Sequence, residues 1–308
     1  FDLAIAAGIL CASGQMSPDG LEHTMLIGEL ALNGAVRHVP GVLPMAEQAR
    51  KRGLSRLIVP EASVGEAALI DGIRVSGIRS LADLLEGAEV RPGTDAPTAA
   101  DSRSAAAFAP REEALDLADV VGQQQAKRAL LIAAAGMHNV LLTGPPGTGK
   151  TMLIRRLPGL LPPLTDAEAL EVTKIYSVSG KLIRSEAGLI RARPFRTPHH
   201  SISAVGLIGG GSVPKPGEAT LAHRGVLFLD EMPEFARACL ESLRQPLEDR
   251  EVTIGRAKGV CRFPAHFLLA ATMNPCPCGY WGGGPEDRPC SCTPIAIDRY
   301  RSRMSGPL

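Results

Sequence analysis

The sequence carries almost no surplus charge of either sign: Lys and Arg number 33 against 32 for Asp and Glu, a formal net charge of +1. No overall positive field therefore draws the whole molecule onto nucleic acid, and any such contact has to be local. Long apolar runs are missing too. No stretch approaches the roughly 18 residues needed to span a bilayer, and the N-terminus lacks the basic start and cleavage site of a signal peptide. The expectation is therefore no membrane partner and, by default, a cytoplasmic location. Aromatics are scarce, at 4%. Cysteines do not form the pattern of a disulfide framework: Cys11, Cys239 and Cys261 are scattered, whereas the other four lie close together. Such a distribution fits a reducing compartment and one metal site.

What is present is an ordinary globular composition, 45% hydrophobic and 21% charged in 308 residues, long enough for two domains with their own cores. The chain begins at Phe1 inside an apolar helix-like run and stops at Leu308 after a Ser-Gly-Pro turn, and so reads as a fragment. Phe1 to Ser13 predicts a buried helix ending near Gly14. Met25 to Leu32 predicts a strand, with Asn33-Gly34 as the hairpin signal and Val36 to Val39 returning. Leu43 to Arg52 follows as a helix closed by Gly53, then a short strand from Leu57 to Val59 stopped by Pro60, and a last helix from Ile78 to Leu85. This first, mixed α/β domain spans 1–90. From Arg91 to Pro110 the composition shifts to Pro, Ala, Thr, Ser and Asp, as in a linker, taken as 91–112.

The second domain, 113–308, opens with Asp119-Val120-Val121-Gly122-Gln123 and a helix from about Gln123 to Ala135. A short apolar strand, Val140 to Thr143, leads into a Gly-rich loop and a helix from Lys150 to Leu157. Thr165 with Glu168 forms a capping box for a helix over roughly Asp166 to Val178. Val226 to Leu229 and His266 to Thr272 have the unbroken apolar character of central parallel strands, with a helix from Ala236 to Leu247 between them. Alternating strands and helices predict an open α/β sheet covered on both faces.

Gly144-Pro145-Pro146-Gly147-Thr148-Gly149-Lys150-Thr151 fits the phosphate-binding pattern G-x-x-x-x-G-K-S/T in its confirming context, directly after a strand and before a helix. Its glycines let backbone N–H groups turn around phosphates, Lys150 reaches the β- and γ-phosphates of ATP, and Thr151 ligates Mg²⁺. A chance Gly-rich turn is the alternative. The strand Val226 to Leu229 delivers Asp230 and Glu231 at its carboxyl end. Asp230 suits a magnesium ligand and Glu231 a group that polarises the attacking water, against the alternative of a solvated acidic turn. Asn274, at the end of the next apolar strand, is placed to hydrogen-bond the γ-phosphate or that water.

Together, Asp119 to Gln123, the loop at Gly144, the Asp230-Glu231 strand, Pro198-His199-His200, Pro216-Gly217-Glu218 and Asn274-Pro275-Cys276-Pro277-Cys278-Gly279 resemble the magnesium-chelatase-like AAA+ proteins of the ComM/YifB type. The resemblance covers essentially the whole chain. It implies an AAA+ P-loop NTPase fold, Val121 and Gly122 at the nucleotide, ATP-driven assembly into a hexameric ring and, for the ComM branch, DNA helicase activity promoting branch migration in natural transformation. Phe1 to Ala6 and Gly28 to Gly34 resemble the Lon-protease fold that this family carries at its N-terminus. By that alignment the protease's nucleophilic Ser falls on Asp2 and its Lys on Leu43, which leaves no peptidase mechanism and a structural or substrate-guiding role. Family members continue beyond Leu308 into a segment with an arginine finger. Arg299, Arg301 and Arg303 lie just upstream, facing either a subunit interface or solvent.

Cys276-x-Cys278 and Cys290-x-Cys292 supply four thiols in two close pairs, a set suited to structural, tetrahedral Zn²⁺. Unligated reduced cysteines and a redox pair are the alternatives. Five basic residues, Lys181, Arg184, Arg191, Arg193 and Arg196, fall between Lys181 and His200 against the single acid Glu186. Glu251 to Phe263 predicts a hairpin with Arg256 and Lys258 at its tip, which resembles the pore hairpins of helicase-like AAA+ rings and could track a DNA backbone without reading sequence. The alternative is an exposed loop with solvated charges. Two other functions compete: a magnesium-chelatase motor subunit inserting Mg²⁺ into a porphyrin, and a nucleotide-gated scaffold, which would keep Lys150 but not need Glu231.

Overall fold

The computed structural model describes residues 1–85, 115–182, 188–256, 259–283 and 288–304; the expected linker at 91–112 lies outside them. Contacts divide the chain into two compact units, Phe1–Ala109 with Thr165–Arg191, and Pro110–Leu164 with Ala192–Leu308. Among the described residues no helix is long and apolar enough to cross a membrane.

In the first unit, β1 (Thr24–Leu26), β4 (Arg56–Pro60) and β5 (Arg74–Ile78) form a parallel sheet in the order β1-β4-β5. Leu57, Ile58 and Val59 of the middle strand are buried, as parallel strands covered on both faces require. The expected strand at Met25 to Leu32 is two pieces. Its second half, β2 (Glu29–Leu30), pairs with β3 (Val36–Arg37) across the Asn33-Gly34 turn. The N-terminal helix runs Asp2–Ala12 but is not buried throughout. Leu3 and Ala7 enter the core beside Ile58, Ile78 and Leu84, while Ile5 and Ile9 are exposed, because an apolar composition all round a helix cannot place every face against one small sheet.

β5 corrects the sequence reading, which began a helix at Ile78. Ser76 and Gly77 interrupt its apolar run and hide the strand, and the helix occupies only Leu81–Leu85. The helix Asp166–Ser179, expected in the second domain, groups by contact with the first unit. Its Lys174 pairs with Glu47 at 2.8 Å, Gly41 N–H donates to Ser177 O at 3.1 Å, and the Ser177 hydroxyl meets Glu66, whose Oε1 also accepts from Leu43 N–H at 2.9 Å. Lys174 accordingly holds the Glu47 carboxyl below its ordinary pKa.

The second unit is built on a four-stranded sheet of order β6 (Val140–Thr143), β13 (Leu268–Met273), β10 (Val226–Leu229) and β7 (Phe195–Arg196), all pairs parallel. Side chains alternate faces along β10. Val226 and Phe228 pack with Leu130, Leu153 and Ile154 on one side, and Leu227 and Leu229 with Leu240, Leu243 and Val252 on the other. Strand β7 and the small pair β8 (Gly209–Gly210) and β9 (Lys215–Pro216) are too short and glycine-rich to show in the pattern. The helix expected at Ala236 to Leu247 is two, Arg237–Ser242 and Arg244–Asp249, and the one from Lys150 stops at Ile154. The hairpin is β11 (Glu251–Arg256) against β12 (Gly259–Pro264), with Val252 opposite Phe263.

Candidate functional site

Three strands of the second unit end at one place. β6 runs into the loop at 144–149, β10 into Asp230-Glu231 and β13 into Asn274, the edge at which an open parallel sheet presents a ligand site. Gly147 (φ 81°) and Gly149 (φ 79°) take left-handed backbone conformations, which turn the loop tightly at no steric cost. The Lys150 ammonium folds back onto Gly144 O (2.7 Å), Pro145 O (2.8 Å) and Asn274 Oδ1 (3.2 Å). Burial lowers its pKa, and the nearby Asp230 and Glu231 carboxylates only partly oppose this. Phosphate oxygens would supply the countercharge that burial denies this amine.

Across the cleft, Thr151 Oγ1 lies 3.2 and 3.1 Å from the two Asp230 carboxylate oxygens. A hydroxyl and a carboxylate converging in this way are hard oxygen donors of the kind Mg²⁺ prefers, so the residues present fit a magnesium nucleotide. Glu231 sits at φ 53°, ψ 50°, a left-handed conformation that non-glycine residues seldom hold without support. Thr272 provides it: its Oγ1 accepts from Glu231 N–H at 3.0 Å and donates to Asp230 Oδ1 at 2.5 Å.

The apolar pattern of β13 does not single out Thr272. The available signal was one hydroxyl in an otherwise apolar central strand. Gln123 Nε2 donates to Thr148 O at 3.3 Å and ties the segment before the first helix to the phosphate loop. The neighbouring Val121 side chain is exposed and Gly122 adopts φ 72°. Tyr300 is buried beside the Asn274 backbone, and burial raises its pKa; nothing in the sequence pattern marks it.

The four cysteines meet in the loop between Asn274 and the helix Pro294–Arg301. Their sulfurs all lie within 4.8 Å of one another, with Sγ–Sγ distances of 3.3 Å for Cys276–Cys278, 3.7 Å for Cys276–Cys290 and 3.5 Å for Cys278–Cys290. A tetrahedral ion at a Zn–S distance of about 2.3 Å needs sulfurs about 3.8 Å apart, so the set fits zinc after small adjustments. Backbone N–H groups of Tyr280 and Ser291 bring the Cys278 thiol down to about 5. At Cys290 the Cys292 N–H acts to lower the pKa, but burial and the facing Cys278 and Cys276 sulfurs outweigh it and push the thiol up to about 12. Closely packed thiols resist becoming thiolates together until a cation neutralises them.

Of the basic segment, Arg196 forms a two-pronged pair with Glu218 (2.6 and 2.9 Å), Arg193 donates to Arg224 O (2.6 Å) and Pro162 O (2.5 Å), and Arg191 bonds Asp166 (2.7 Å). These guanidinium groups hold the fold together locally. Arg184 and Lys258 lie outside the described residues, and Arg256 is exposed at the end of β11. Arg301 stacks over Trp281 at 4.5 Å, and Arg303 donates to Pro233 O at 3.0 Å.

Comparison with known proteins identifies relatives of the chain. The family model described as magnesium chelatase, subunit ChlI, matches residues 116–308, and a second, subunit ChlI of Mg-chelatase, matches 1–63. An uncharacterized protein of Mycobacterium tuberculosis is 47% identical over 309 residues, all of this chain and 59% of that one. Competence protein ComM of Haemophilus influenzae is 46% identical over 312 residues, again all of this chain and 59% of its own length. Lon protease 2 of Bacillus subtilis is 30% identical over 144 residues, 45% of this chain and 26% of the protease. The chain thus spans about 59% of the length of the first two relatives.

Proposed function

The chain belongs to the magnesium chelatase ChlI family, and on that premise we propose that it is the ATP-hydrolysing core of a ring-forming AAA+ motor that acts on DNA. The observation that carries the reading is the convergence of Lys150, Thr151, Asp230, Glu231 and Asn274 at the ends of three parallel strands. Lys150 exchanges its loop carbonyls for the β- and γ-phosphates, and Asn274, released from Lys150, turns to the terminal phosphate or the attacking water. Thr151 and Asp230 hold magnesium, which when bound neutralises charge on the phosphates. Glu231 polarises the water, its backbone fixed by Thr272 so that the carboxylate projects from a rigid turn. Phosphoryl transfer asks mainly for this positioning and charge neutralisation.

The DNA half of the proposal draws on the 46% identity to a protein named for competence, on the exposed Arg256 of the β11–β12 hairpin, and on the resemblance to ComM-type helicases, whose activity is branch migration. The ring is hexameric in this reading. In the first unit Leu43 is fully buried at the position where the protease resemblance calls for a catalytic Lys, which supports a structural or substrate-guiding role over a peptidase one. The family description itself favours one second reading, a motor subunit of a magnesium-inserting chelatase. ATPase assays of the full-length protein with and without single-stranded DNA separate the two: stimulation by DNA is expected, and its absence together with failure to bind DNA would favour the chelatase reading.

A further inference from the structure

The four-cysteine loop touches the nucleotide site from three directions. Cys276 follows Asn274 by two residues and is completely buried, so whatever fixes its sulfur fixes the backbone carrying Asn274. Gly279, inside the loop at φ 89°, lies against the phosphate loop, where an added Cβ would come 2.7 Å from Pro146 Cδ. The helix that starts at Pro294, two residues beyond Cys292, brings Tyr300 back to the Asn274 backbone. Within the loop, Trp281 N–H donates to Cys276 Sγ at 3.3 Å and Cys278 N–H to Cys292 Sγ at 3.4 Å, the backbone-to-sulfur bonding that supports thiolate ligands around a metal.

We propose that Zn²⁺ held by Cys276, Cys278, Cys290 and Cys292 is a strut of the ATPase site, and that its occupancy sets turnover by fixing Asn274 and Pro146 relative to one another. The inference rests on the nucleotide reading above. Without the metal, four thiols and a glycine-rich loop provide little to hold the end of β13 against the phosphate loop, since glycine loses the most backbone freedom on ordering. Nucleotide affinity depends chiefly on Lys150 and the loop amides and is largely retained, whereas hydrolysis needs the Asn274 side chain placed to within a fraction of an ångström. The cysteines act through Asn274 and Pro146 and are positioning residues.

The test uses full-length protein purified without chelator. Elemental analysis should find one zinc per chain, and Co²⁺ exchanged into the site should show the intense thiolate-to-metal absorption of a tetrahedral sulfur site. Stripping zinc with a reversible organomercurial and chelator, then removing the mercurial with excess reducing thiol, should lower kcat by roughly tenfold or more, with nucleotide affinity measured by a fluorescent ATP analogue changing by less than about threefold, and added zinc should restore turnover. Cys290→Ser should reproduce the loss. Because that variant could simply misfold, Gly279→Ala provides a second route: it leaves all four ligands intact and presses a methyl group against Pro146, so zinc content should hold while kcat falls.

Absent zinc with freely titrating thiols, full kcat in the stripped protein, or parental kcat in zinc-loaded Gly279→Ala would each overturn the proposal. Lys150→Ala run alongside keeps the two readings apart. Retained ATP binding in that variant defeats the nucleotide assignment itself. Lost binding there, combined with zinc-independent turnover, defeats only the strut.

Discussion

Both units are organised around parallel sheets with buried central strands, yet the residues at the carboxyl ends of those strands have nothing in common. In the first unit β1, β4 and β5 end at Leu26, Pro60 and Ile78. In the second, β6, β10 and β13 run out into Gly144, Asp230 and Asn274, with a lysine and two hydroxyls gathered among them. The architecture supplies an edge in each case, and side-chain chemistry decides whether that edge is a site. Two buried polar groups of the first unit, Glu66 and Ser177, bond to each other, and Glu66 also accepts from Leu43 N–H; they are spent on packing a helix.

The contrast is tested most severely at Lys150. Lys150→Ala should abolish measurable ATP binding, read by equilibrium titration with a fluorescent analogue, because it removes the cation in the loop. Glu231→Gln should keep affinity within several-fold and lower turnover by about a hundredfold or more, in the range seen when a group acting on the transition state alone is removed; hydrolysis at the parental rate would remove Glu231 from the role of water activator. Thr272→Val sharpens the comparison further. It takes away the hydroxyl that fixes both carboxyl-bearing residues, so kcat should drop about tenfold with little change in nucleotide affinity.

Changes in the first unit should register in stability and leave nucleotide binding alone. Glu66→Ala strands the Leu43 N–H and the Ser177 hydroxyl in a buried position and should cost about 1–3 kcal/mol in denaturant unfolding. The smallest effect belongs to Thr165→Ala, which removes the reciprocal capping box with Glu168 and should cost about 1 kcal/mol. An equal loss of ATP affinity in Glu66→Ala would break the functional separation drawn between the two edges.

Legibility followed how local each signal was. The phosphate loop, the Asp230-Glu231 strand end, the capping box and the Asn33-Gly34 turn are contiguous patterns whose residue types answer to their own backbone geometry, and the structure places elements at each. β5 was obscured because Ser76 and Gly77 dilute its apolar run, and β7 because two residues are too few for any period. Thr272 and Tyr300 were missed for a different reason: each is an ordinary residue of its element, important through what it meets.

Sequence alone determined the covalent inventory of the candidate site, the unbroken apolar run that buries β10 on both faces, and the two close cysteine pairs, all set by neighbours within a strand or turn. Tertiary structure alone decided that Thr151 meets Asp230 across a separation of 79 residues and Lys150 meets Asn274 across 124, that the helix Asp166–Ser179 packs with the first unit, and that Gly279 rests on Pro146. Such contacts depend on strand order and on which faces find partners. Those are properties of the whole packed chain, and no local periodicity encodes them.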